Sequence, residues 1–258
     1  MKKILCLLIL FLLFLTSCTK KEEKSQLDKI IERGVLTVGV KTDSKPFGFI
    51  DPVTGENDGF DIDVAKYIAK DILGSERKIK FVSVNPNTRI EAITSGQVDM
   101  VIATMSITPQ RKFLIDFSLP YYLAGQTALV KENSNIHTFA DLKHKTTIVL
   151  LGSTSEQNIR RIIPTAKLVG YKNYKEAFEA FKQGKADAIS TDDTILSGFL
   201  MDNQGYRILK NKISHEPYAI GIKINEEDKS LKKNLDVIIT RMSKDGTIKA
   251  LKKKWNLK

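Results

Sequence analysis

The sequence predicts an α/β protein built as two lobes, and three features carry that expectation. Short apolar runs alternate with amphipathic helical stretches from residue 35 to residue 223. A nine-residue pattern, Glu91-Ala-Ile-Thr-Ser-Gly-Gln-Val-Asp99, returns as Glu179-Ala-Phe-Lys-Gln-Gly-Lys-Ala-Asp187, each a helix end, a glycine stop and a strand start. Behind an N-terminal export segment, roughly 230 residues remain, enough for one large domain or two lobes.

The export segment comes first. Lys2 and Lys3 precede an apolar run over residues 4–15, too short for a membrane-spanning helix, which needs about 20 residues. The junction Leu15-Thr16-Ser17-Cys18 resembles the lipobox of bacterial lipoproteins. It implies a signal peptide over 1–17, acylation of Cys18, and a polar tether over 18–26. Acyl chains contribute about 0.8 kcal/mol per buried methylene, so two or three anchor a protein firmly to a lipid membrane. The protein is then expected in the periplasm or on the outer face of the cytoplasmic membrane. Of the two cysteines, Cys6 leaves with the signal, so neither a disulfide framework nor a cysteine nucleophile is available. Losing Lys2 and Lys3 takes the formal charge from +11 to +9. The lysines are spread along the chain, with Lys249, Lys252, Lys253 and Lys254 near the end. This reads as solvated basic surface, and an exported chain does not normally meet nucleic acid.

In chain order, residues 35–40 form a strand, and Val64, Ala65, Ile68, Ala69 and Ile72 recur at helical spacing within 61–73. Residues 80–84 return to strand, 89–95 make a short helix closed by Gly96, and 100–103 make an apolar strand. A helix opens at Thr108, and the motif Asp116-Phe117-Ser118-Leu119-Pro120-Tyr121-Tyr122 leads to a strand at 126–130. The second series reads helix 139–144, strand 147–151, helix from Ser155, strand 167–171, helix 174–183, strand 186–189 and helix 193–201. Strand 218–223 and a helix over 227–242 close the chain. Such alternation predicts parallel sheets with helices on both faces.

The stretch Thr104 to Lys112 carries the first chemical signal. Thr108 and Pro109 read as N-cap and first helical position, yet the first turn holds Arg111 and Lys112, cations that repel a positive helix end unless an anion sits there. A guanidinium with the hydroxyls of Thr104 and Ser106 suits a small carboxylate; a solvated basic turn is the plainer reading. The echo places Thr104 five residues after Asp99 and Asp192 five after Asp187, at the carboxyl ends of equivalent strands, where open α/β sheets bind ligands. Ser153, Thr154 and Glu156 form a second helix start, with Ser153 at capping-box spacing. A cleft with Arg111 on one side and Asp192 on the other complements the carboxylate and ammonium of an amino acid.

Enzyme readings fare worse. His137, His144 and His215 lack metal-ligand spacing, no serine sits in a nucleophile elbow, and Asp192-Asp193 are adjacent residues at a helix start that point apart. No cofactor or metal is expected.

Over nearly the whole mature chain these residues resemble the bacterial solute-binding proteins of family 3, which feed polar amino acids to ABC importers. The resemblance rests on Gly59-Phe60-Asp61-Ile62-Asp63, Ser106-Ile107-Thr108 with Arg111, Asp116-Phe117-Ser118 with Pro120-Tyr121, Gly152-Ser153-Thr154, and Ala186-Asp187-Ala188 leading to Asp192. It implies the type II periplasmic binding protein fold, with lobe 1 over 27–121 and 217–258, lobe 2 over 122–216, and hinge crossovers near 121–125 and 216–220. It implies an α-carboxylate site of Arg111, Thr104, Ser106 and Thr154, with Ser153 beside it, and an ammonium site at Asp192. Phe47 is the nearest match to the aromatic that flanks the ligand. Arg89, Lys41 and Tyr174 resemble side-chain groups of acidic-ligand members, which favours glutamate or aspartate, with glutamine next. Arg89 has a plainer reading as a lobe-internal ion pair with Glu91 or Asp99, Lys41 as a surface lysine, and Tyr174 as a core aromatic. The implied partners are an amino acid, an ABC permease and the membrane, the chain acting as a monomer. Presentation of bound ligand to a membrane receptor, as a sensor, and a lyase on the same fold are the alternatives.

Overall fold

The computed structural model describes residues 24–257. Cys18, the signal peptide and most of the expected tether lie outside the described residues. Among the described residues no helix is long and apolar enough to cross a membrane, and no group of three or more His, Cys, Asp or Glu could hold a metal.

Strands β1 (Leu36–Val40), β5 (Ile79–Ser83), β6 (Met100–Val101), β7 (Asp116–Ala124) and β13 (Glu216–Ile222) form the first sheet, in the order β5-β1-β6-β13-β7. Strands β8 (Gln126–Lys131), β9 (Thr146–Leu150), β10 (Lys167–Tyr171), β11 (Ala188–Asp192) and β12 (Tyr206–Ile208) form the second, in the order β10-β9-β11-β8-β12. A small sheet of β2 (Asp43–Ser44), β3 (Gly48–Ile50) and β4 (Asn57–Asp58) flanks the first. The helices are α1 (Gln26–Arg33), α2 (Phe60–Leu73), α3 (Arg89–Thr94), α4 (Pro109–Lys112), α5 (Thr154–Ile162), α6 (Tyr174–Lys182), α7 (Asp193–Met201), α8 (Ser230–Lys244) and α9 (Thr247–Lys254).

The expected all-parallel sheets are corrected. Each sheet has three parallel strands, but β13 runs antiparallel to β6 and β7, and β8 antiparallel to β11 and β12. The reason is connectivity: β8 and β13 are the strands that enter each sheet from the other lobe, β8 directly from β7 through Gly125 and β13 from the passage after β12, so neither is reached through the helical crossover that joins parallel neighbours. The second expected hinge, 216–220, lies inside β13; the return passage precedes it, between Ile208 and Glu216. The two passages touch, since a Cβ on Gly125 would stand 2.8 Å from the Ser214 carbonyl oxygen.

Apolar clusters cover both faces of each sheet. On the first, Val38, Ile68, Leu235 and Ile239 pack on one face and Ile93, Met105 and Ile115 on the other. On the second, Phe178, Phe181 and Leu196 oppose Phe139, Leu142 and Ile159. The sequence echo has a matching structural role. Asp99 accepts from the Thr37 N–H at 2.7 Å and Asp187 from the Thr146 N–H at 2.8 Å, so each aspartate pins the start of a neighbouring parallel strand. The segment that follows each aspartate therefore leads to the same end of its sheet, to Thr104 just beyond β6 in one case and to Asp192 at the end of β11 in the other.

Candidate functional site

Six charged side chains are buried among the described residues, and all six gather where the two sheets face each other: Lys41, Asp61, Arg89, Arg111, Asp192 and Glu216. Buried charges are rare unless paired, because desolvation costs several kcal/mol per ion. Such clustering makes this the candidate functional site.

Arg111 enters from α4. That helix is a single turn, with the Thr108 hydroxyl accepting from the Arg111 N–H at 3.2 Å, so the expected pull of a helix dipole is replaced by the guanidinium alone. Arg111 Nη1 donates to the Ser106 carbonyl at 2.7 Å, and Nη2 reaches Gly152 on the other lobe at 3.3 Å. Burial draws its pKa down, opposed by Glu216 and Asp192. Lys112 is exposed.

Asp192 ends β11. Its Oδ2 accepts from the Tyr218 hydroxyl at 2.5 Å, while Oδ1 is buried without a protein partner. Burial, then Glu216, raises its carboxyl to about 7. Arg89 does not pair with Glu91 or Asp99; Asp99 is held by Arg33 and Thr37. Its Nη1 donates to the Ala103 carbonyl at 2.9 Å and its Nε is buried and unpartnered. Burial and the neighbouring Arg111 lower its pKa to about 9, against the pull of Tyr174 and Asp192.

Lys41 follows β1 and is 2% exposed, so it is no surface lysine. Its Nζ lies 4.5 Å from the centre of the Tyr174 ring, and burial lowers its pKa to about 8. Tyr174 is not simply a core aromatic. Its hydroxyl bonds Thr191 at 2.5 Å and its backbone N–H donates across the lobes to Asp43 at 2.7 Å.

Thr104 and Ser106 are both buried, and the Thr104 hydroxyl has no protein partner. Three expected residues are otherwise engaged. Ser153 caps α5 and donates to the Leu150 carbonyl at 2.6 Å. Thr154 donates to Glu216 at 3.0 Å. Phe47 is fully buried in the first lobe, edge-to-face with Phe60, Tyr122 and Tyr218, and stands behind the polar cluster through Tyr218.

Sequence reasoning missed Asp61, Glu216 and Tyr218 as members of the cluster. Asp61 accepts from Thr104 and Tyr121, and burial raises its carboxyl to about 6. Glu216 collects Thr154, Asn158 and Ser214. The signals were two acids, Asp61 and Asp63, in the first turn of α2 and Glu-Pro-Tyr at a lobe crossing, both weak in isolation.

A polar cleft between two α/β lobes, with contacts closing across it, defines a two-lobed binding protein. Residues 36–258 match the bacterial extracellular solute-binding proteins, family 3. The chain is 41% identical over 238 residues to the ABC transporter glutamine-binding protein GlnH of Bacillus subtilis, covering 92% of this chain and 86% of that one. It is 47% identical over 196 residues to a glutamine-binding protein of Geobacillus stearothermophilus, covering 76% and 75%. Among solved structures, the cysteine-binding protein of Campylobacter jejuni superposes with a TM-score of 0.86 at 33% identity, covering 90% and 93%. The chain belongs to family 3 of the bacterial extracellular solute-binding proteins: it is an exported binding protein and not an enzyme.

Proposed function

We propose that the protein captures a polar amino acid, glutamine first, between its lobes and delivers it to an ABC importer. The observation that carries this reading is the composition of the buried cluster: three cations, Lys41, Arg89 and Arg111, and three carboxylates, Asp61, Asp192 and Glu216. A zwitterion with a neutral side chain enters this set without upsetting its balance, whereas glutamate adds a charge in a desolvated site. The acidic preference read from the sequence weighed the cations without Asp61 and Glu216. The names of the two glutamine-binding relatives support the same ranking.

In this reading the α-carboxylate meets Arg111 beside Thr104 and Ser106. The α-ammonium meets the unpartnered Oδ1 of Asp192. The side-chain amide, both donor and acceptor, lies toward Arg89, Lys41 and Tyr174. Glutamate is the second reading, favoured by the unpartnered Nε of Arg89. Calorimetric titration of residues 24–258 with glutamine, glutamate and aspartate tests the ranking; a net buried charge is worth more than about 1.4 kcal/mol, so glutamine should bind at least about tenfold more tightly. Tighter binding of either acid overturns it. Acylation of Cys18 tethers the protein at the membrane, so Cys18→Ala should move it to the soluble fraction or leave it unprocessed; mature-sized protein still in the membrane pellet argues against the anchor.

A further inference from the structure

Thr104 has φ 45°, the only β-branched residue in the left-handed region among the described residues. A β-branched side chain is poorly tolerated there, and such strain persists only where the surroundings impose it. The chain needs a turn at this point. Ile102 still bonds Gly39 of β1 at 2.9 Å, whereas Met105 accepts from Ala219 and Ser106 bridges Tyr218 of β13. Glycine would make that turn without strain. Threonine adds a hydroxyl, and that hydroxyl is buried with no protein partner.

Asp61 is what holds the turn. Its Oδ2 accepts from the Thr104 N–H at 2.9 Å and its Oδ1 from the Tyr121 hydroxyl at 2.8 Å. Its own N–H is tied to the Phe47 carbonyl at 2.8 Å. An acid in the first turn of a helix ordinarily serves that helix. Here both oxygens leave α2 and serve Thr104 and β7 instead, and the side chain is fully buried facing Lys41 and Arg89.

We infer that Asp61 is a positioning residue: it clamps Thr104 in the left-handed conformation and so aims the Thr104 hydroxyl at the bound amino acid. The inference rests on the cluster being the ligand site, and its test separates the two ideas. In ligand-free protein, the Thr104 amide resonance should follow a titration near pH 6 and move upfield in Asp61→Asn, which keeps the shape and loses the charged acceptor. An amide that does neither overturns the clamp whatever the protein binds, and absence of amino-acid binding by wild type overturns the site reading instead. For affinity, Asp61→Asn and Thr104→Gly should each weaken glutamine binding about tenfold, the loss of one charge-assisted or buried hydrogen bond. The double variant should be no weaker than the worse single one, because both act through one hydroxyl. Thr104→Ser, which restores the hydroxyl, should recover most of the affinity that Thr104→Gly loses. Losses that multiply, or Asp61→Asn affinity equal to wild type, overturn the clamp. Circular dichroism and the melting temperature of each variant check that the effect does not come from unfolding.

Discussion

Asp192 shows what a buried carboxylate does for a binding protein. Burial and Glu216 raise it from an ordinary 3.8 to about 7, with Asp193 adding to the rise and Tyr218 and Lys41 opposing it. The ionised form is the one that accepts an ammonium group, so below about pH 7 a ligand must first displace a proton. Affinity for an amino acid should therefore fall as pH drops from about 8 to about 5.5, approaching about tenfold per unit at the lower end. Asp192→Asn should bind weakly with a shallower profile. Titrations at several pH values decide this, and a flat wild-type profile would remove Asp192 from the ammonium site. Folding stability runs the opposite way: between about 4 and 7 the folded chain holds protons on Asp192 that the unfolded chain has released, so ligand-free stability falls as pH rises through that window. Asp192 was legible in the sequence through its fixed distance from a recognisable helix-to-strand turn, and Arg111 through its unusual position in the first turn of a capped helix start. Asp61 was not, since an acid in a helix's first turn has an ordinary explanation that only tertiary contacts displace.

At the scale of elements, the alternation of strand and helix carried most of the architecture, and the repeated Glu-to-Asp pattern proved to be a shared device for starting a parallel pair. β7 was harder to read. Its burial does not alternate and Pro120 interrupts it, which an edge strand tolerates because the missing donor falls where no ladder bond is needed. α9 was missed because its positions are charged at nearly every turn and none of its residues is fully buried. α4 shows the reverse error: Thr108-Pro109 is a strong helix start, but the helix ends within a turn, at Phe113. Ser153 caps its helix as its spacing suggested, because a hydroxyl there satisfies the backbone of its own helix.

For the whole molecule, six buried charges and their unpartnered atoms set the energetics of closing. In the proposed reading, lobes held apart would leave Lys41, Arg89, Arg111 and Asp192 hydrated, and on closing an amino acid would supply the partners that Arg89 Nε, Asp192 Oδ1 and Thr104 Oγ1 lack within the protein. On that reading the ligand is expected to bind the closed form better and to shift the population toward it. Bonds that span the lobes hold that form: Tyr174 to Asp43, Arg111 to Gly152, Tyr218 to Asp192, and at the rim Lys45 to Asp202. Closest of all is Gly198 of α7, where a Cβ would stand 1.9 Å from the Lys45 carbonyl oxygen of the first lobe. An alanine there obstructs closure yet suits a helix in the open form, where Ala is favoured over Gly by about 1 kcal/mol. Small-angle scattering should show the wild-type radius of gyration falling on saturation with glutamine and that of Gly198→Ala staying at its ligand-free value. Glutamine affinity should drop at least about tenfold in the variant, since the contacts from one lobe are lost, while its ligand-free melting temperature holds or rises. A variant that still closes and binds like wild type would show that the α7–Lys45 contact yields at little cost, and a wild-type radius that ignores glutamine would show that capture proceeds without closure.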